Sequence, residues 1–246
     1  MILPSLQPLI ASSVGYAFDK SDEIGKFIVL LLVFISVIVW CFIFIKGVAL
    51  QKAKKASEVF INKFREKRHS LAIISDPLHQ ESPVSDIYAE GAAKVLEFTN
   101  LDPEQALHYG SPNFPTQKLS PAELEAIHSI IEQEVSNQIL KLEHGIDWLA
   151  TAVSVCPFLG LFGTVYGVMT AFVGIASKGS PEINALAPGV SGALLTTVVG
   201  LMVAIPSLVG YNMLKINIRK LTVFMDNFTE EFIAKIKIDQ LSGGQL

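Results

Sequence analysis

Three stretches of this chain carry no Asp, Glu, Lys or Arg: residues 27–45, 148–177 and 183–214, which are 19, 30 and 32 residues long. About 20 apolar residues in a helix cross the hydrocarbon core of a bilayer, so each run predicts a transmembrane helix. Elsewhere the pattern changes from uniform apolarity to stripes. Leu124, Ile127, Ile131, Val135, Ile139, Leu142 and Ile146 recur at steps of three and four, one face of an α-helix. Ser120-Pro121-Ala122-Glu123 supplies an N-cap, a proline at the first helical position and a capping-box Glu. No breaker precedes Gly145, so the pattern predicts that this helix runs on into the second span.

The tail behaves alike: Leu214, Ile218, Leu221, Met225, Phe228, Phe232 and Ile236 form one stripe. Ala49, Ala53, Ala56, Phe60 and Phe64 continue the first span in the same manner. Val84, Ile87, Gly91, Val95 and Phe98 predict a short helix between Pro83 and the Pro-, Gly- and Asn-rich loop 99–119. Such stripes need partners and can supply one another. The predicted fold is an all-α membrane protein with three transmembrane helices, two of them extended into a cytoplasmic helical bundle.

Charge orients this plan. After the first run come Lys46, Lys52, Lys54, Lys55, Lys63, Arg65, Lys67 and Arg68, opposed only by Glu58 and Glu66. Lys/Arg-rich flanks stay in the cytoplasm. Before the run, Asp19, Asp22 and Glu23 outnumber Lys20 and Lys26. Residues 1–26 are thus read as a periplasmic or interfacial segment, 46–147 as a cytoplasmic domain, 178–182 as a periplasmic turn and 215–246 as a cytoplasmic C-terminal helix. Met1–Phe18 lacks the basic start and the cleavage site of a signal peptide and contains Pro4 and Pro8. An amphipathic or interfacial segment fits it better.

Composition narrows the function classes. Half of the chain is hydrophobic and 17% is charged, with net charge −4, against about 25% charged in an ordinary soluble domain. That excludes an average cytosolic enzyme, a disordered chain and a basic nucleic-acid binder. Cys41 and Cys156, both inside apolar runs, offer no disulfide framework. The five histidines lack ligand spacing, so no metal site is expected. Residues 46–147 hold no nucleotide loop, nucleophile elbow or HExxH helix. No enzyme activity and no cofactor are expected.

The second and third runs are rich in small residues. Gly163, Gly167 and Ala171 form a ridge on one; Gly192, Thr196, Gly200 and Ala204, with Gly189, Ala193 and Thr197 beside them, form two on the other. Small ridges let helices approach closely in lipid, here read as packing in an oligomer of one chain. Thr164, Thr196 and Thr197 lie on or beside these faces. A membrane threonine can bond its own i−4 carbonyl; hydroxyls on two neighbouring helices also suit the wall of a narrow polar path. No carboxylate, Lys, Arg or His lies in any of the three runs. Ion transport ordinarily uses an ionisable group at membrane depth, where a charge costs about 2.5–3.5 kcal/mol by insertion scales. If this chain conducts protons, another chain must bring the titrating group.

Pro157-FLGLFGTVYGVMTAF-Val173 and Leu186-APGVSGALLTTVVGLMVAIPSLVGYN-Met213, with the three-span plan, resemble the MotA/TolQ/ExbB proton-channel family over nearly the whole chain. The tail Asp226-NFTEEF-Ile233 is more similar to the TolQ branch than to the ExbB branch. The resemblance implies a homopentamer in the bacterial inner membrane around a dimer of a single-span TolR- or ExbD-like partner that supplies a membrane aspartate. Work then passes through a TolA- or TonB-like protein. It places Thr164 and Thr197 at pore-lining positions and Pro157 and Pro206 at kink positions; Thr196, where the family commonly has alanine, is expected to add polarity. There is one departure: members usually carry a glutamate in the segment PGIAEAL, and Gly192 stands there here.

Three functions compete at this point. One is a TolQ-like energiser of cell-envelope integrity and division, and another an ExbB-like subunit powering uptake. The third is a structural scaffold whose small residues serve packing alone.

Overall fold

The computed structural model describes residues 7–74, 81–106, 108–109, 118–178 and 183–242, and among these there are helices and no strand. The helices are α1 (Gln7–Lys20), α2 (Glu23–Glu66), α3 (Pro83–Thr99), α4 (Pro103–Ala106), α5 (Pro121–Glu143), α6 (Ile146–Lys178) and α7 (Ile183–Ser242). Three of them, α2, α6 and α7, are long and apolar enough to cross a membrane. The chain divides into two compact units, Met1–Ile45 with Gly145–Met213 and Lys46–His144 with Leu214–Leu246. Most of the 178–182 turn lies outside the described residues.

In the first unit the apolar residues mostly face outward. Phe27, Phe44, Trp148, Phe158 and Met202 are among the exposed ones, a surface that suits lipid rather than water. Its small core joins Ile28 and Leu32 of α2, Cys156 of α6, and Val203 and Ala204 of α7. Pro157 lies inside α6, and Pro188 and Pro206 inside α7. A proline removes one backbone donor and leaves the carbonyl four residues earlier without its helical partner.

The second unit has a conventional core. Ser120 and Glu123 cap α5 reciprocally: the Ser120 N–H donates to Glu123 Oε2 at 2.6 Å, and the Glu123 N–H to Ser120 Oγ at 3.3 Å. The Ser120 N–H, and then the Ser120 hydroxyl, hold the Glu123 carboxyl below its ordinary pKa. Ser82 and Ser85 cap α3 in the same way, with Pro83 following. α3 ends on Asn100, whose left-handed φ of 50° lets its N–H turn back onto Leu96 and Glu97. A Cβ on Gly91 would lie 2.7 Å from Phe232 and 2.8 Å from Ile131, so only glycine admits α3 this close to α5 and α7.

Phe60 and Phe64 of α2, Tyr88 of α3, and Phe228 and Phe232 of α7 form a nest of rings with centroids 5.1–6.0 Å apart. The Tyr88 hydroxyl donates to the Ser70 carbonyl at 3.0 Å, and burial drives its pKa upward. The α7 stripe from Leu214 to Ile236 is buried as its spacing predicts. On α2 the inward line is Leu50, Ser57, Phe60, Ile61 and Phe64, while Ala49 faces out. The bulkier Leu50 takes the inward place.

The predicted continuity of α5 into the second span fails at Gly145. Its φ of +85° is a left-handed conformation that ends the helix. A Cβ there would also lie 2.9 Å from the Phe42 ring. Lys46 Nζ donates to the carbonyl of His144, the cap of α5, at 3.0 Å. A cation on these last, otherwise orphaned carbonyls stabilises the end.

Candidate functional site

The small ridges of α6 and α7 face each other inside one chain. A Cβ on Gly163 would lie 2.6 Å from Thr196 Cβ, on Gly167 2.7 Å from Ala193 Cβ, and on Gly189 3.1 Å from Ala171 Cβ. Gly200 meets the Cys156 carbonyl at 2.8 Å and Gly160 Cα at 3.2 Å by the same measure. As the α6 number rises the α7 number falls, so the pair is antiparallel. The ridges that predict packing between copies are therefore used within the protomer.

That close approach brings the threonines together. Thr197 Oγ1 donates across the helix pair to the Gly160 carbonyl at 2.9 Å, and Thr196 Oγ1 reaches the same oxygen at 3.0 Å. Thr164 Oγ1 lies 2.8 Å from Leu161 O, 3.3 Å from Gly160 O and 3.1 Å from Thr197 Oγ1. In a regular helix the Gly160 carbonyl already accepts the N–H four residues on. With two lone pairs it has room for one hydroxyl. Thr196 has another acceptor, Ala193 O at 2.7 Å, so Thr197 can keep Gly160.

The consequence is a rotor. A hydroxyl has one proton, so Thr164 can point it either to its own helix at Leu161 or across to Thr197. Both local bonding and a cross-helix polar contact, the two readings of a membrane threonine, are present in the same side chain. Thr164 and Thr197 are half-buried, whereas Thr196 is fully buried against Gly163. The hydroxyls can donate and accept but do not titrate near neutrality, so they carry no charge of their own. Gly160, the hub of the cluster, is absent from the residues its sequence pattern singles out. Its signal is the spacing Gly160, Gly163, Gly167 within the quoted motif.

Gly192 does not face α6. A Cβ there would lie 2.8 Å from Ser21 Cα, so the chain between α1 and α2 takes the space a side chain at this position would need. Ser21 is buried and donates to the Ala17 carbonyl at 2.7 Å. Among the described residues no cluster of His, Cys, Asp and Glu is arranged to hold a metal.

The family model of the MotA/TolQ/ExbB proton channel family matches residues 104–227, which include all of α5 and α6 and the threonine cluster. The chain is similar to the Tol-Pal system protein TolQ of Pseudomonas aeruginosa, 30% identical over 223 residues, covering 91% of this chain and 92% of the relative. It is 26% identical to the TolQ of Haemophilus influenzae over 215 residues, 87% of this chain and 90% of that one. It is 32% identical to the biopolymer transport protein ExbB of Salmonella typhimurium over 203 residues, 81% of this chain and 76% of the relative.

Proposed function

This chain belongs to the MotA/TolQ/ExbB proton channel family, and we propose that it is a TolQ-like stator subunit of a bacterial inner membrane. In this reading copies of the chain, five by the family resemblance, surround a dimer of a TolR-like single-span partner. That partner brings the carboxylate that the three apolar runs lack. Proton passage past it performs work on the cell envelope through a TolA-like protein, the N-terminus being periplasmic and the C-terminus cytoplasmic. The membrane potential supplies about 2.3 kcal/mol per charge per 100 mV for such work.

The observation that carries this reading is the Thr164–Thr197 contact at 3.1 Å in spans without any Asp, Glu, Lys, Arg or His. A hydroxyl pair that can turn its proton either way can solvate an incoming carboxyl in both its neutral and its charged form. Inert packing would not require a hydroxyl at both positions. An ExbB-like role in nutrient uptake is the second reading, favoured by the 32% identity to the Salmonella protein; the broad coverage by the TolQ relatives favours the first.

Reconstitution into liposomes tests the proposal. The chain alone should leave a pH gradient intact, and co-reconstitution with a single-span partner bearing a membrane Asp should dissipate it. Acidification by the lone polypeptide would overturn the scheme. Co-purification from the native membrane identifies the partner and decides between the two systems.

A further inference from the structure

Within the second unit a furrow runs between α5 and α7. His128 Nε2, 3.2 Å from Glu230 Oε1, bridges it. On one side lies a hollow of about 430 Å³ lined by Leu124, His128, Ile233 and Lys237 among others. On the other lies one of about 450 Å³ whose floor includes Val135 and Ile139 and whose walls carry Glu132, Asp226 and Glu230. No Lys or Arg lines this second hollow among the described residues. Glu230 and Glu132 share the His128 ring, at 3.2 and 3.8 Å; burial, and then Glu132, raise the Asp226 pKa. The acids belong to the tail motif Asp226-NFTEEF-Ile233, whose Phe228 and Phe232 are spent on the core and whose Glu231 pairs with Arg65. Glu230 meets His128 across the furrow, and Asp226 lines the hollow.

The same unit presents a complementary face. Lys55, Val59 and Lys63 follow one another at steps of four on α2, pointing away from Phe60, Ile61 and Phe64, which are buried in the core. Lys55 is exposed, Lys63 half-buried and Val59 44% exposed. Neither lysine has an ion-pair partner among the described residues. On α7, Val223 is 51% exposed one turn before Asp226. Each charged row is thus flanked by an uncovered valine. The two rows also lie in one band: Lys55 and Lys63 are ten and eighteen residues past Ile45, and Asp226 and Glu230 twelve and sixteen past Leu214. At about 1.5 Å per residue, copies standing side by side in one membrane would present the two rows at matching depth.

We propose that the furrow between α5 and α7 receives the α2 face of a second copy of this chain, setting Lys55 and Lys63 of one copy against Asp226, Glu230 and Glu132 of the next. The two surfaces differ, so the contact is head-to-tail, the kind that builds a ring when its rotation closes. It rests only on the oligomeric part of the proposed function, and its test reads assembly rather than proton flow, so either can fail without the other.

Exposed ion pairs are individually weak, so the test reverses two charges at once. Full-length Asp226→Lys/Glu230→Lys, purified in mild detergent, should lose the higher oligomer in native mass measurement while keeping its helical circular dichroism. Adding Lys55→Glu/Lys63→Glu to the same chain should restore it. An oligomer indifferent to the first pair of changes, or a folded variant that the second pair fails to rescue, overturns the proposal; a separate basic partner as the occupant gives that last result. If the reversed variant does not fold, Val59→Cys with Val223→Cys decides. A short bismaleimide should link copies in native membranes only when both cysteines are present, and linking no greater than in either single variant overturns the proposal.

Discussion

Gly192 of α7 and Ser21, between α1 and α2, stand in backbone contact: a Cβ on the glycine would lie 2.8 Å from the serine Cα. The obstacle is main chain, so rotation of the Ser21 side chain cannot clear it. Gly192→Glu must therefore move the segment leading into α2 and place a carboxyl against a buried serine. Overpacking of this kind costs about 1–3 kcal/mol, and a buried unpaired charge adds to it. The melting temperature in detergent should fall for Gly192→Glu, and for Gly192→Ala by less. A Gly192→Glu variant as stable as the native chain would mean that the two segments are not packed together.

The threonines separate by burial. Thr164→Val and Thr197→Val keep shape and remove the half-buried hydroxyls, so with the partner present proton flow should drop at least tenfold while assembly stays normal. Thr196 is fully buried on Gly160 and Ala193. Thr196→Val should cost stability, about 1 kcal/mol for a lost hydrogen bond, and change conduction far less. Parallel flux and thermal-melt measurements on the three variants check the split, and equal loss of flux in all three would refute it.

Much of this was legible in the chain because apolar runs and helical stripes are one-dimensional signals. The three long helices, the cap at Ser120 and the α7 stripe follow from spacing alone. What pattern could not decide is which surface a ridge meets. The spacing of Gly163 and Gly167 predicts contacts between copies, whereas the antiparallel pairing with Thr196 and Ala193 uses them within one chain. The break at Gly145 was hidden for a related reason: glycine permits a left-handed φ without requiring it, and that the Phe42 ring leaves no room for a Cβ there is a tertiary fact. Gly160 acts through its carbonyl; its spacing to Gly163 and Gly167 marks a small face but not the acceptor.

The internal use of the ridges changes what a bulky substitution does. Gly167→Leu places a branched side chain where even a Cβ would lie 2.7 Å from Ala193 Cβ. The α6–α7 pair should be forced apart before any oligomer is considered. Reduced yield of folded monomer and increased protease sensitivity are expected for Gly167→Leu and Gly163→Leu. A stably folded monomer that merely fails to associate would return these ridges to the subunit interface.

Acid should loosen the start of α5. The Glu123 carboxyl is held below its ordinary pKa by the Ser120 N–H and then by the Ser120 hydroxyl. A carboxyl whose folded pKa is depressed stabilises the fold above its unfolded pKa, about 4.3, and that stability is lost as pH falls through the folded value. Amide exchange in the first turn of α5, corrected for intrinsic rates, should speed up as pH drops below about 4. In Glu123→Ala the first turn should already be frayed at neutral pH and show no such step.

The far end of α7 is fastened by charge buried among backbone groups. Asp239, 5% exposed at its side chain, accepts the Ser70 N–H at 2.6 Å and lies 3.3 Å from His69 Nδ1. One turn earlier Lys235 donates to the carbonyls of Phe64 and Lys67 at 2.7 and 2.6 Å, carbonyls at and just beyond the end of α2 that lack helical donors. Asp239→Ala strands the Ser70 N–H without an acceptor, and a buried unsatisfied group costs about 1–3 kcal/mol. Asp239→Asn keeps an acceptor oxygen in place and should cost clearly less. Hydrogen exchange across residues 67–74 and 232–242, together with the melting temperature, reads both effects. Exchange in both segments should rise in Asp239→Ala and recover most of the way in Asp239→Asn. If the two variants behave alike, the carboxylate charge rather than its bond to the main chain holds the tail of α7.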